Sequence, residues 1–349
     1  MKRNILLIEP NYKNKYPPIG LMKISAYHRK LGDNITFYKG DLKDFVVEQI
    51  YQDCLRKLKR IDKSIPWQTK SALIKQYIKQ KNSNNLEEIN FSNSKYAHLI
   101  EKNLTCFADY YRKKEFEKNP KFDRVYVTTL FTFYWKITIK TIQYAKKLVK
   151  NSDQLLVGGV MASLLTKEIE KETGIKPIVG LLDKPGMLDN TRKAKNFIID
   201  DLPLDYSILD EIDYEYPTEN TYFTFMTKGC TRKCVFCSVP KLEPTYKPKI
   251  ETIDKFKEIK THFGEQQNLL LMDNNVLASP KFPEIIQEIK KMGFVNGATY
   301  IEPNQLKISI RNLRNGYNDK AYVKRSFKII HSLLLRLRGK TKQDFYDIL

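Results

Sequence analysis

The chain predicts an α/β protein: a doubly wound parallel sheet at the N-terminus, interrupted by a helical insertion and followed by a smaller β/α unit. Three observations predict it. Short apolar runs at residues 4–8, 34–38, 124–129 and 154–157 alternate with stretches of helical periodicity, the pattern of parallel strands joined by crossover helices. A Lys-rich, helix-like stretch over residues 43–121 separates the second run from the third. Turn-rich sequence at 176–220 closes this part, and a fresh strand–loop–helix series begins at Tyr222.

The first strand, residues 4–8, is uniformly apolar from Ile5 to Ile8 and ends in Glu9-Pro10-Asn11. A helix follows through Met22, Ile24, Ala26 and Tyr27 toward Leu31, with Gly32 as its stop signal. After the strand at 34–38 comes the insertion, which holds Trp67, Cys54 and Cys106 but no chemical constellation. It reads as a helical cap, with a mobile loop near residues 81–85. A helix over about 136–150 joins the strands at 124–129 and 154–157. Ligands of such sheets bind at the carboxyl ends of the strands, here Glu9-Pro10-Asn11, Thr128-Thr129-Leu130 and Gly158-Gly159-Val160.

The domain boundaries expected are 1–200, a linker at 201–220, and a second domain at 221–349. In the second domain a strand at 222–227 runs into a cysteine loop, and a strand at 269–272 ends in Asp273-Asn274-Asn275. A helix at 282–292 and a third strand at 298–301 follow, the latter leading to Glu302 and Asn304. Val323, Phe327, Ile330, Leu334 and Leu337 then recur at helical spacing, with Lys324, Arg325, Lys328, Arg336 and Arg338 around them. Such a helix packs on a neighbouring element or, in a sharper reading, meets RNA or an acidic partner.

With 349 residues, 42% hydrophobic and 12% aromatic, the chain is not of disordered composition. No apolar run has transmembrane length, so no membrane partner is expected. The first apolar run is too short for a signal peptide and meets Glu9 at once. Cys54 and Cys106 suggest no disulfide framework, and a reduced, cytoplasmic setting is expected. The net charge of +21 invites a nucleic-acid reading, but the excess is spread along a Lys-, Asn- and Ile-rich chain. It is densest at residues 303–349, with eleven Lys or Arg against three Asp. Nucleic acid therefore stays open as a partner without being established by charge.

The chemistry lies in Lys228-Gly229-Cys230-Thr231-Arg232-Lys233-Cys234-Val235-Phe236-Cys237. Three thiolates spaced C-x3-C-x2-C on one loop can hold three irons of a cubane [4Fe–4S] cluster, leaving the fourth iron open to a small molecule. An open iron implies chemistry at the metal. A zinc site would need a fourth ligand, and His28, His98, His262 and His331 are all distant in sequence. An odd, closely spaced trio cannot pair off as disulfides.

At every position this run resembles the signature of the radical S-adenosylmethionine (SAM) enzymes. The resemblance implies that SAM chelates the open iron, and that an electron from a donor such as flavodoxin or ferredoxin cleaves it to a 5′-deoxyadenosyl radical. It implies Cys230, Cys234 and Cys237 as cluster ligands and Phe236 as the cluster's shield beside the adenine. It also implies a β/α barrel with the cluster loop after its first strand, where Thr227, Lys228 and Arg232 would tune the cluster's potential. Many members carry Gly-Gly-Glu after the second strand; Asp273 and Asn274 resemble an Asp-Asn variant that accepts hydrogen bonds from SAM.

A second resemblance joins the first. The opening strand, Tyr16-Pro17-Pro18-Ile19-Gly20-Leu21 and Gly158-Gly159 are similar to the cobalamin-binding, flavodoxin-like domain of one radical SAM branch. It implies that Gly158 and Gly159 allow close approach of a ligand. The Asp-x-His-x-x-Gly run that ligates cobalt is missing, so cobalamin would bind without a protein imidazole, or the fold is kept without it. Only three strands are legible from Tyr222 onward, against about six β/α units in such barrels, so a partial barrel is expected. That suggests an incomplete product or a need for another polypeptide. The function expected is SAM cleavage with hydrogen abstraction or methyl transfer on an unidentified small or macromolecular substrate. A non-catalytic iron–sulfur or cobalamin-like binding protein, an inactive truncated enzyme and an RNA-modifying radical SAM enzyme are the alternatives.

Overall fold

A computed structural model describes residues 2–218 and 220–336. Its N-terminal part contains β1 (Asn4–Pro10), α1 (Ile19–Leu31) and β2 (Asn34–Gly40). The insertion follows as α2 (Leu42–Ile61), α3 (Ser71–Gln80), α4 (Ser83–Glu88), α5 (Ala97–Arg112) and α6 (Glu115–Lys118). Then come β3 (Arg124–Thr129), α7 (Trp135–Ala145), β4 (Leu155–Gly159), α8 (Val160–Leu164) and α9 (Thr166–Thr173). All four strands are parallel, in the order β2-β1-β3-β4. The order reverses direction between β1 and β3, which is where such sheets open a crevice at their carboxyl edge.

Alternation along β1 sorts its side chains into two cores. Ile5 and Leu7 join α1 on one face, while Leu6 and Ile8 join α2, α7 and the insertion on the other. Trp67, Ile74, Ile78, Ile100 and Leu104 are buried in that second core, so the insertion is a packed layer of the sheet. Cys54 is buried among them, which pushes its thiol up to about 12. Residues 81–85, expected as a mobile loop, are instead a helix–helix corner. Lys81 ends α3 at φ 52°, and the Asn82 side chain caps α4 by accepting from the Asn84 amide at 3.0 Å.

The second half contains β5 (Thr221–Thr224), α10 (Val239–Leu242), α11 (Ile253–Phe263), β6 (Asn268–Leu271), α12 (Phe282–Lys291), α13 (Gln305–Arg314) and α14 (Asp319–Arg336). β5 and β6 form a two-stranded parallel sheet. Three expectations are corrected here. The strand at 222–227 stops at Thr224, because the next amides turn to a side chain of the neighbouring strand, described below. Residues 298–301 form no strand: they follow Gly293 and Gly297, at φ 98° and 78°, and precede Pro303. The third correction concerns α14, which buries Ala321 and Tyr322 and leaves Val323, Phe327, Ile330 and Leu334 exposed. Arg325 pairs with Asp210 at 2.9 Å and Lys324 with Asp213 at 2.6 Å, which fixes the helix by that face. Leu337 and Arg338 lie outside the described residues.

Residues 201–220, read from sequence as a linker, contribute Leu202, Leu204, Ile208 and Tyr216 to the interior. One core joins the two halves, with Ile5, Leu7 and Tyr27 in the same cluster as Tyr222, Phe223 and Phe256. No helix among the described residues is long and apolar enough to cross a membrane.

Candidate metal-binding loop

The cysteine loop leaves the carboxyl end of β5 under tight backbone control. The amides of Met226 and Thr227 and the Thr227 hydroxyl donate to the Asp273 carboxylate, which stands just past β6. Lys228 and Lys247 exchange backbone bonds of 3.1 and 3.0 Å. Gly229 follows at φ 67°, and its amide donates to the Glu243 carboxylate at 2.7 Å. A Cβ there would lie 3.0 Å from the carbonyl oxygens of Glu243 and Thr245, so this close crossing requires glycine. Asn274 donates to the same Glu243 oxygen at 3.0 Å.

Asp273 and Asn274, read from sequence as SAM contacts, are thus both engaged in holding the loop. Their neighbour Asn275 donates to the Cys230 sulfur at 3.8 Å, and the Arg232 amide donates to it at 3.4 Å. The Cys237 amide bonds to the Cys234 carbonyl at 3.0 Å. Cys230 and Cys237 are half-buried and Cys234 is exposed. All three stand on one loop, but no group of three His, Cys, Asp or Glu side chains converges at metal-binding geometry among the described residues. Phe236 projects into solvent with Val235 beside it.

Two carboxylates that sequence reasoning missed organise this loop. Glu243 is one. The other is Asp200, which lies in a run that reads from sequence as plain turn. Its carboxylate accepts from Lys23 of α1 at 2.6 Å and pairs with Lys228 at 3.3 Å. The Phe225 ring lies 4.0 Å from the Lys228 ammonium. Burial pushes Lys23 down to about 8 against the pull of Asp200, and the neighbouring Lys228 adds to the effect. Asp200 is held below the usual carboxylate range, because its two lysines outweigh its burial. A local signal for this clamp is lacking, since its three members are far apart in the chain.

Gly158 and Gly159 lie on β4 beside Thr128 and Thr129. At Gly159, φ is 107° and a Cβ would lie 2.3 Å from the Thr129 carbonyl oxygen, so strand packing alone requires that glycine. Thr129 also accepts from the Ala162 amide at 2.9 Å. Both glycines line an apolar cavity of about 200 Å³ with Gly20, Leu21, Thr128, Gly180 and Leu182. Lys23 and Asp200 stand at its wall, so the cavity and the cysteine loop share the same clamp.

Of the histidines, His28 is buried at the amino edge of the sheet, against Asp33 and Tyr126. His98 is on α5, His262 on α11 and His331 on α14. None belongs to the loops at the carboxyl edge of the four-stranded sheet.

No protein-family model and no solved structure matches the chain. Over 103 aligned residues it is 27% identical to the NADPH-dependent 7-cyano-7-deazaguanine reductase of Thermoanaerobacter pseudethanolicus (strain ATCC 33223 / 39E). That alignment takes in 26% of this chain and 77% of the reductase.

Proposed function

We propose that the chain is a radical SAM protein whose Cys230, Cys234 and Cys237 hold a [4Fe–4S] cluster with one open iron. The observation that carries the reading is the C-x3-C-x2-C loop at the carboxyl end of a parallel strand, pinned by the carboxylate that ends the neighbouring strand. The donor set fits the group. Three thiols share one loop, two N–H groups already point at the Cys230 sulfur, and Lys228, Arg232 and Lys233 offset the negative charge of a thiolate-bound cluster. When bound and reduced by a flavodoxin- or ferredoxin-type donor, such a cluster supplies the electron that cleaves SAM.

The chain's own residues do the rest. Gly229, Glu243 and Asp273 set the loop's path, and Asn275 orients the first thiol. On this reading β5 and β6 begin a β/α barrel, and the β2-β1-β3-β4 sheet is flavodoxin-like. The residues present offer cobalt no imidazole at the carboxyl edge, so they do not fit a histidine-ligated cobalamin.

Anaerobic reconstitution of the full chain with iron and sulfide tests the reading. About four irons per chain, and an EPR signal on reduction that shifts with added SAM, are expected. The Cys230→Ala/Cys234→Ala/Cys237→Ala variant loses both. Iron retained undiminished in that variant sinks the proposal. A second reading, a non-catalytic cluster protein, is favoured by the second sheet having only two strands among the described residues. Release of 5′-deoxyadenosine under a strong reductant separates the two.

A further inference from the structure

Charge and aromatic side chains are segregated in the segments that follow three of the strands. The segments 11–23, 129–150 and 225–242, which follow β1, β3 and β5, contain no Asp or Glu, although the chain holds 40. They carry Lys13, Lys15, Lys136, Arg232 and Lys233, all exposed and none in a salt bridge among the described residues. The three segments adjoin one another. Tyr134 stacks on Tyr12 at 4.5 Å and donates to the Lys13 carbonyl at 2.8 Å, which joins the first two. Lys23 and Lys228 meet on Asp200, and Lys241 donates to the Leu164 carbonyl of α8 at 3.0 Å, which brings the third onto the same face.

On this face Phe131 and Phe133 stack with ring centroids 5.2 Å apart, inclined by 18°, while 49% and 72% exposed. Phe236 is 94% exposed. Lone exposed apolar side chains are ordinary; a stacked aromatic pair on segments that carry unpaired cations and no Asp or Glu complements a particular ligand. That ligand is a polyanion carrying flat, uncovered rings. A lipid surface offers phosphate without rings, and a duplex hides its ring faces, whereas a single strand presents both.

We propose that this face binds a single-stranded nucleic acid, with unpaired bases stacked on Phe131 and Phe133 and the backbone tracked by the five cations. The proposal goes beyond the cluster reading and does not rest on it.

Fluorescence anisotropy of the full chain with a labelled single-stranded RNA of about 12 nucleotides tests it, with the same sequence as a duplex and phosphatidylserine vesicles as separate arms. The single strand should bind more tightly than the duplex. Its affinity should fall about a hundredfold between about 50 and 200 mM salt, as expected for roughly five neutralised phosphates. Phe131→Ala/Phe133→Ala should weaken binding roughly tenfold without changing the salt dependence, with Trp at both positions restoring it and Leu not. Lys13→Ala/Lys136→Ala should reduce the log–log salt slope by roughly 1.4. The triple Cys→Ala variant should bind as the parent does, so failure of the cluster reading leaves this result standing. Duplex or vesicle binding as tight as single-strand binding, or parent-like affinity in the double Phe→Ala variant, overturns the proposal.

Discussion

At the residue scale, two glycines with opposite roles show what backbone geometry decides. Gly159 holds φ at 107° with the Thr129 carbonyl oxygen 2.3 Å from where a Cβ would sit. Gly159→Ala should therefore destabilise the protein by at least about 2 kcal/mol, from left-handed strain plus the clash. Gly20 lies in α1 with nothing within 4 Å of its missing Cβ. There the same substitution should be neutral or stabilise by up to about 1 kcal/mol. Urea midpoints of the two variants should move in different directions. His28 gives a pH signature at this scale. Its ring bonds Asp33 at 2.8 Å and the Tyr126 hydroxyl at 2.9 Å, and burial lowers its pKa below 6.5. The fold thus holds a neutral imidazole, while the unfolded chain takes up a proton near 6.5. Its contribution is whole above that value and erodes as pH falls below it. The stability gap between parent and His28→Gln, read from urea curves, should accordingly narrow from pH 7 to pH 5.

At the element scale, buried carboxylates join segments that sequence patterns cannot connect. Asp205 is buried and accepts from Ser25 of α1 at 2.6 Å, Arg29 of α1 at 2.5 Å and Tyr317 at 3.2 Å. Asp205→Ala leaves Arg29 with Glu211, 3.8 Å away, and the Tyr317 ring as its partners among the described residues, and should cost about 3–5 kcal/mol in chemical denaturation. Asp205→Asn should cost less, since the amide oxygen still accepts. What was legible in the chain follows the same division. The four strands of the first sheet and the stop at Gly32 could be read because their causes are local: continuous apolar runs, and a residue free to adopt φ 89°. The β5 run failed after Thr224, where the Met226 and Thr227 amides find Asp273, a partner 46 residues beyond Thr227. The three cysteines were legible as a motif. Glu243 and Asp200, which shape their loop, were not, because a carboxylate's distant partner leaves no periodic trace.

At the scale of the whole molecule, a chain of net charge +21 places two ammonium groups on one half-buried carboxylate where its halves meet. The Asp200 clamp ties α1 of the first sheet to the residue two before Cys230. Asp200→Asn leaves Lys23 and Lys228 without a countercharge and should cost about 3 kcal/mol. The loss should also be local. Hydrogen exchange at residues 228–237 should accelerate more than exchange along β1 and β3, because Lys228 then loses its ion pair and keeps a neutral amide oxygen, its backbone bonds to Lys247 and the Phe225 ring. Equal acceleration across both sheets would mean that the clamp serves overall stability alone. The pH dependence separates the charge from the hydrogen bonds. Burial has already lowered Lys23 to about 8 in the parent, and loss of Asp200 lowers it further. Well below 8 both chains carry the Lys23 cation, compensated in the parent and uncompensated in the variant, so the deficit is full. As pH rises toward about 8 the variant's Lys23 sheds its proton before the parent's, and the stability gap should close over that range by whatever part of it is electrostatic.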